Sequence, residues 1–409
     1  MKKIYLLHSG VQHILQPALA LQDLELLEQF YTSFFPKKDY KRLIAFLNNK
    51  TISKFFSLRS SENLEIDKIV NIPKYELVET ALKLIVGKNK FSTSTLPHWR
   101  DRKFAQSVAK KIDPDCIGVY GFPNNVLESF RRVSKGLKII EQPIGYNRAA
   151  IGLFKEEKSL FPQFADSITF NDGNVKYLER IDEEIYLADL ILVPSQFVKK
   201  TFVDYGFDER KFKINQYGAW LAPTEKIKVN EEKKDPLTLL FVGQLSQRKG
   251  IKYLLDSVKE MKKNHLDIKM IIVGKVYGRG KWFSEYRDYI DEYFPSVPRS
   301  QIHEIYKKAD VFVLPSLFEG SALVVYEALA FGLPCIVTEN TGSDAIVEKV
   351  NGFVIPIRES QIIVEIINYL DKNREVLTQM KQNALNTSYN LSWENYRNRL
   401  KAIISDKIS

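Results

Sequence analysis

Cysteine is scarce in this 409-residue chain: there are two, Cys116 and Cys335, each opening an apolar run ("CIGVYG", "CIVTEN"). A disulfide framework is therefore excluded as the source of stability, and buried thiols in a reducing cytosol are the expectation. Histidine is scarce too, with five residues (His8, His13, His98, His265, His303) in no metal-ligand pattern. No apolar run reaches the roughly 20 residues that span a bilayer. The opening "MKKIYLLHSG" lacks the long apolar core and small-residue cleavage site of a leader and reads as a first strand. There is no repeat at solenoid spacing and no low-complexity tract.

What is present fits a soluble α/β enzyme. Hydrophobic residues make up 44% and charged residues 27% of the chain, and its length calls for two domains of roughly 200 residues each. The net charge is +10, with most of the excess before Pro223, in stretches such as "FFPKKDYKR" and "VGKNKF". Such a balance suits phosphates or an anionic membrane face, and equally a solvated lysine-rich surface. No basic helix interleaved with aromatics and no nucleic-acid-binding module is recognisable, so nucleic acid is not expected as a partner.

Short β-branched and aromatic runs alternate with helical patterns throughout. The strand candidates are "KIYLLH", "RLIAFLN", "CIGVYG", "KIIEQP", "LILVPS" and "KINQYG", then "LTLLFVG", "IKMIIVG", "VFVLPS", "CIVTEN" and "GFVIPI". Continuous apolar strands between helices imply parallel sheets covered on both faces, enough for two doubly wound, Rossmann-like domains facing a central cleft. The polar, proline-bounded "LAPTEKIKVNEEKKDP" reads as the seam. This gives a first domain over 1–221, a linker over 222–236 and a second domain over 237–390. A final helix over 391–409 opens at Ser392, a good N-cap.

Chemistry concentrates in the second half. In "FEGSALVVYE", Glu319 and Glu327 bracket a turn that leads from a buried strand into a helix expected over 322–331. That junction aims free N–H groups and the positive end of the helix dipole into the cleft, a ready anion site. Gly320, Ser321 and Ala322 are small enough to let a ligand approach the backbone, with Leu323 following. Glu327, set among apolar neighbours, needs a partner: either a ribose diol held by charge-assisted bonds or a lysine or arginine of the core. In "LLFVGQLSQRKGIKYLL", Gly243 opens a strand-to-helix loop carrying Arg248 and Lys249, two cations able to clamp a diphosphate.

These stretches resemble the retaining GT-B glycosyltransferases of family 4. The resemblance rests on "FVGQLSQRKGI", "ADVFVLPSLFEGSALVVYEALAFGLPCIVTE", "NGFVIPI" and "ADLILVPSQFVKKTFVDYGFDERKFKINQYGAWL", and covers most of residues 180–357. It implies a hexosyltransferase-like enzyme with a UDP- or GDP-sugar as co-substrate, no cofactor and no metal. Arg248 and Lys249 would hold the diphosphate and Glu319 the sugar hydroxyls, beside Gly320 to Leu323. Glu327 would bind the ribose, and the last helix would cross back onto the first domain. The acceptor would be a saccharide, lipid-linked or protein group in cell-surface polysaccharide, glycolipid or glycoprotein synthesis. Work in the cytoplasm, at the inner membrane face, is the matching expectation, with "KNKF" and "SKFFSLRS" as the basic stretches to meet that face.

There are departures from that pattern. "HSGVQH" offers only Gly10 where many relatives carry a glycine pair. In "KIIEQPIGYNR" the place of a catalytic-site histidine falls near Glu141 and Gln142, which become candidates on the acceptor side. His98 in "LPHWRDRKF" is another, against a structural role beside Trp99. "DPD" (113–115) matches a metal-binding D-x-D pattern but reads as an ordinary turn. Two rivals remain: a nucleotide-sugar epimerase or hydrolase on the same fold, and a non-catalytic nucleic-acid binder.

Overall fold

A computed structural model describes residues 3–10, 13–36, 59, 63–86, 95–168, 174–219, 236–298 and 301–408. Two parallel sheets account for its strands. The first contains β1 (Ile4–His8), β2 (Leu27–Thr32), β3 (Ile69–Asn71), β4 (Gly118–Gly121), β5 (Leu137–Glu141), β6 (Leu190–Val193) and β7 (Phe212–Ile214). The second contains β8 (Leu237–Val242), β9 (Ile268–Val273), β10 (Glu292–Phe294), β11 (Val311–Leu314), β12 (Cys335–Thr338) and β13 (Gly352–Ile355). Their orders are β3-β2-β1-β4-β5-β6-β7 and β10-β9-β8-β11-β12-β13. Each order reverses once, between β1 and β4 in the first sheet and between β8 and β11 in the second. Ligands of open α/β sheets bind beyond the carboxyl ends of the strands at such reversals.

The buried strands follow from sequence: "VFVL" and "CIVT" are wholly buried because helices cover both faces. "RLIAFLN" and the basic "KNKF" lie outside the described residues, as do "SKFFSLRS" apart from Arg59 and the expected linker apart from Pro236. The second strand of the first sheet is instead "LEQFYT". "KINQYG" is a strand only as far as Ile214, because the chain then runs against the start of the last helix. Ala219 N donates to Leu391 O at 2.8 Å, and a Cβ on Gly218 would lie 2.3 Å from Trp393 N.

That last helix, Trp393–Ile408, begins after Ser392, whose hydroxyl accepts from Asn395 N at 3.1 Å. It lies against the first half of the chain. Arg397 Nη1 donates to Gln16 Oε1 (2.6 Å), and Lys401 pairs with Asp23 (3.2 Å). Its main anchor is Glu141, 1% exposed, which takes hydrogen bonds from the Tyr120 hydroxyl and from Tyr396 Oη (2.9 Å). His13 Nε2 sits 2.5 Å from the same carboxylate. Burial, and then Glu141 itself, pushes the Tyr120, Tyr217 and Tyr396 phenols well above their usual pKa, so they stay protonated. Tyr396→Phe is expected to lower stability by about 1–3 kcal/mol, the cost of leaving a buried acceptor short of a donor. The midpoint of chemical denaturation checks this.

A second crossing runs the other way. Helix Asn147–Leu160 and the 3-10 turn Pro162–Ser167 follow the first sheet's β5 but pack on the second half. Phe164 lies against Trp282 with ring centroids 4.9 Å apart, and Phe161 meets Tyr253 at 5.9 Å. The two sheets are thus held together by a core of aromatic rings as well as by the last helix.

Candidate active site

The loops after β8 and β11, neighbouring strands at the second reversal, carry the predicted cations and the first carboxylate. The structure brings all three together. Arg248 Nη1 donates to Glu319 Oε1 and to Phe318 O (3.2 Å), and Lys249 Nζ lies 2.7 Å from the same Glu319 oxygen. Burial pulls the Lys249 ammonium below its ordinary pKa, with Glu319 opposing the fall and Arg248 adding to it. Two cations thus converge on one carboxylate oxygen.

Local geometry explains the approach of the two loops. Gly250 has φ +70°, and a Cβ there would sit 1.8 Å from Pro315 O. Only glycine lets the turn Gln247–Lys249 press onto the strand end that precedes Glu319. Leu317 N donates to Arg248 O at 2.9 Å and fixes the register. Gly243, with φ +153°, opens the same loop beside the Lys249 stem.

Beyond Glu319 the helix Leu323–Ala330 begins within a residue of the expected start, with Ala322 at its N-cap. Ala322 supplies no side-chain cap to the first N–H groups. Ser321 Oγ is 2.7 Å from Tyr326 Oη, and Leu323 is exposed. Glu327 is half-buried rather than deep, and Tyr306 Oη donates to its Oε2 at 3.1 Å. Burial and then Glu327 raise the Tyr306 phenol well above its usual pKa.

The first domain touches this turn directly. A Cβ on Gly320 would lie 1.8 Å from Pro143 O, the residue after Gln142. Ser195 Oγ donates to Gly320 O at 2.7 Å while accepting from Val198 N (3.3 Å) as the N-cap of helix Gln196–Val203. Gln196 N donates to Asp344 Oδ2 at 2.8 Å. Sequence reasoning singled out none of Pro143, Ser195 and Asp344. The one available signal was "LILVPSQ", which repeats the Pro-Ser strand end of "VFVLPS".

The remaining candidates disperse. Gly10 stands at the carboxyl end of β1, its N–H donating to His8 Nδ1 at 3.2 Å. Glu141 is buried and bonded to His13, Tyr120 and Tyr396, where it anchors the last helix. Gln142 is buried, and its Nε2 has no hydrogen-bond partner among the described residues. His98 stacks on Tyr177, with centroids 3.8 Å apart, at the wall of a cavity of about 600 Å³ that also includes Trp99, Arg102 and Asn124. Burial lowers the His98 pKa, so the ring is neutral at pH 7. A separate cavity of about 520 Å³, beside helix Gln196–Val203, contains none of the predicted donor residues. Asp113 Oδ1 accepts from Asp115 N at 3.0 Å, the turn expected of "DPD". Among the described residues no group of three or more His, Cys, Asp or Glu side chains is placed to share a metal ion. No helix among them is long and apolar enough to cross a membrane.

Two parallel α/β sheets facing each other, with cations and a helix start at the second sheet's reversal, make this a GT-B glycosyltransferase fold. The solved lipopolysaccharide outer core galactosyltransferase WaaB shares it, with a TM-score of 0.61 at 15% identity over 100% of both chains. Residues 223–387 match the family model described as glycosyl transferases group 1, so this part of the chain carries a glycosyltransferase domain. The putative glycosyltransferase YtcC of Bacillus subtilis is 27% identical over 70% of this chain and 72% of its own length. The UDP-Gal:alpha-D-GlcNAc-diphosphoundecaprenol alpha-1,3-galactosyltransferase of Escherichia coli is 28% identical over 52% of this chain. The chain spans about half of that relative, 54% of its length.

Proposed function

We propose that the chain transfers a sugar from a UDP-sugar to a lipid-linked saccharide, with retention at the anomeric carbon, in cell-surface polysaccharide synthesis. The observation that carries the reading is the convergence of Arg248 and Lys249 on Glu319 at the start of helix Leu323–Ala330. A donor diphosphate takes Glu319's place on the cation pair. Glu319, released, accepts hydrogen bonds from the sugar hydroxyls, and Glu327 accepts from the ribose. The bond from the anomeric carbon to the β-phosphate oxygen breaks as charge grows on the diphosphate, where Arg248 and Lys249 stabilise it. The acceptor oxygen bonds the same face and passes its proton to the departing phosphate oxygen, which accounts for retention without a protein base.

The donor and acceptor classes draw on the similarity to the Escherichia coli galactosyltransferase, and the net charge of +10 suits an anionic leaflet bearing such an acceptor. The test is incubation of UDP-galactose, UDP-glucose and UDP-N-acetylglucosamine with a diphosphoundecaprenol-linked saccharide, followed by NMR of the product's anomeric configuration. An α-linked product from an α-linked donor supports the reading. A β-linked product contradicts retention, and sugar release or epimerisation without acceptor contradicts transfer.

A further inference from the structure

We infer that Glu157 is a positioning residue for the Arg248–Lys249 pair, reaching from the first domain so that the grip on a diphosphate depends on the two domains being docked. The inference rests on the donor-site reading above. Helix Asn147–Leu160 carries "FKEEKSL", a run that looks like solvated surface. Glu156 is indeed exposed, yet its neighbour Glu157 is 0% exposed.

Three donors from the second domain converge on it. Gln247 Nε2 donates to Glu157 Oε1 at 2.5 Å and Tyr253 Oη to the same oxygen at 2.6 Å. Arg358 Nε donates to Oε2 at 2.8 Å, while its Nη2 holds Glu156 at 3.0 Å. Burial, and then the bond to Glu157, raises the Tyr253 phenol well above its ordinary pKa, keeping it a donor.

Gln247 is the residue that matters for chemistry. It opens the turn Gln247–Lys249, and the first domain holds it twice. Its side chain is bound to Glu157, and its backbone N–H donates to Ser167 Oγ at 3.1 Å. Glu157, Ser167 and Gln247 are all fully buried. From the opposite side, Leu317 N binds Arg248 O at 2.9 Å. The turn bearing both cations is therefore pinned between a first-domain carboxylate and the loop that carries Glu319. A buried carboxylate is tolerated when its donors are all present, and among the described residues they come from across the docked interface.

The experiment compares wild type with Glu157→Gln, measuring calorimetric affinities for UDP against UMP and for GDP against GMP. The wild type is expected to prefer one diphosphate over its monophosphate. Glu157→Gln is expected to reduce that preference about tenfold, with monophosphate affinity unchanged. Interface packing alone would lower Tm or weaken both nucleotides together, so an unchanged diphosphate preference overturns the positioning role. If Glu157→Gln does not fold, Gln247→Ala takes its place with the same readout, since it leaves the bonds of Glu157 to Arg358 and Tyr253. A wild type that binds none of the four nucleotides overturns the donor-site reading and this inference with it. Binding with an unaltered preference in the variant overturns this inference alone.

Discussion

Arg248→Ala is expected to lower kcat by roughly 100- to 1000-fold, the usual effect of removing one preorganised donor from developing negative charge. Arg248 offers a planar fork of N–H groups, one of which already binds both Glu319 and the Phe318 carbonyl. Lysine cannot reproduce that fork, so Arg248→Lys is expected to restore only a small part of the loss. The donor KM should change far less than kcat, because charge on the diphosphate grows toward the transition state. Steady-state kinetics of the two variants, with circular dichroism to verify folding, would decide it. A KM effect with unchanged kcat would mean that Arg248 binds donor without stabilising its departure.

Gly320→Ala should also be severe, for a steric reason. The added Cβ would stand 1.8 Å from Pro143 O and 2.8 Å from Pro143 C, backbone atoms of the opposite domain. Nothing there is a flexible side-chain tip, so the domains must part at the turn that carries Glu319. The Ser195 bond to the Gly320 carbonyl would stretch with them. Overpacking costs about 1–3 kcal/mol or more, and kcat/KM should drop at least tenfold because closure is blocked. Gly152→Ala is the matched control, since a Cβ at Gly152 meets nothing within 4 Å. Lying inside a helix, that substitution should stabilise by about 0.5–1 kcal/mol. Thermal unfolding and kcat/KM of the two variants would show opposite effects. Equal behaviour would mean that the contact between Gly320 and Pro143 places no constraint on the working enzyme.

The fold was legible where strands are buried on both faces, as in "VFVL" and "CIVT", because burial leaves a continuous apolar run. It was not legible in "LEQFYT", where Glu28 and Gln29 interrupt the run, or in the three-residue strands Ile69–Asn71 and Glu292–Phe294. Arg248, Lys249 and Glu319 could be picked out because they sit on strand-to-helix loops, whose direction the parallel sheet dictates. Glu141 was picked out from its place in "KIIEQPIGYNR", and its part in holding the last helix was not legible there. Its true surroundings depend on Tyr396, 255 residues further on, which no local pattern reveals. Glu157 was invisible for a similar reason: among Lys155, Glu156 and Lys158 it has the signature of solvent. Long-range partners decided both cases.

The most direct test of the donor site is calorimetric titration of wild type and Glu327→Ala with UDP, GDP and ADP. One diphosphate is expected to bind the wild type, and the variant should bind it roughly 10- to 100-fold more weakly, the worth of a charge-assisted pair to a ribose diol. If no nucleotide binds, or if the variant binds as tightly as the wild type, Glu327 has a structural role, and the proposed nucleotide site is contradicted.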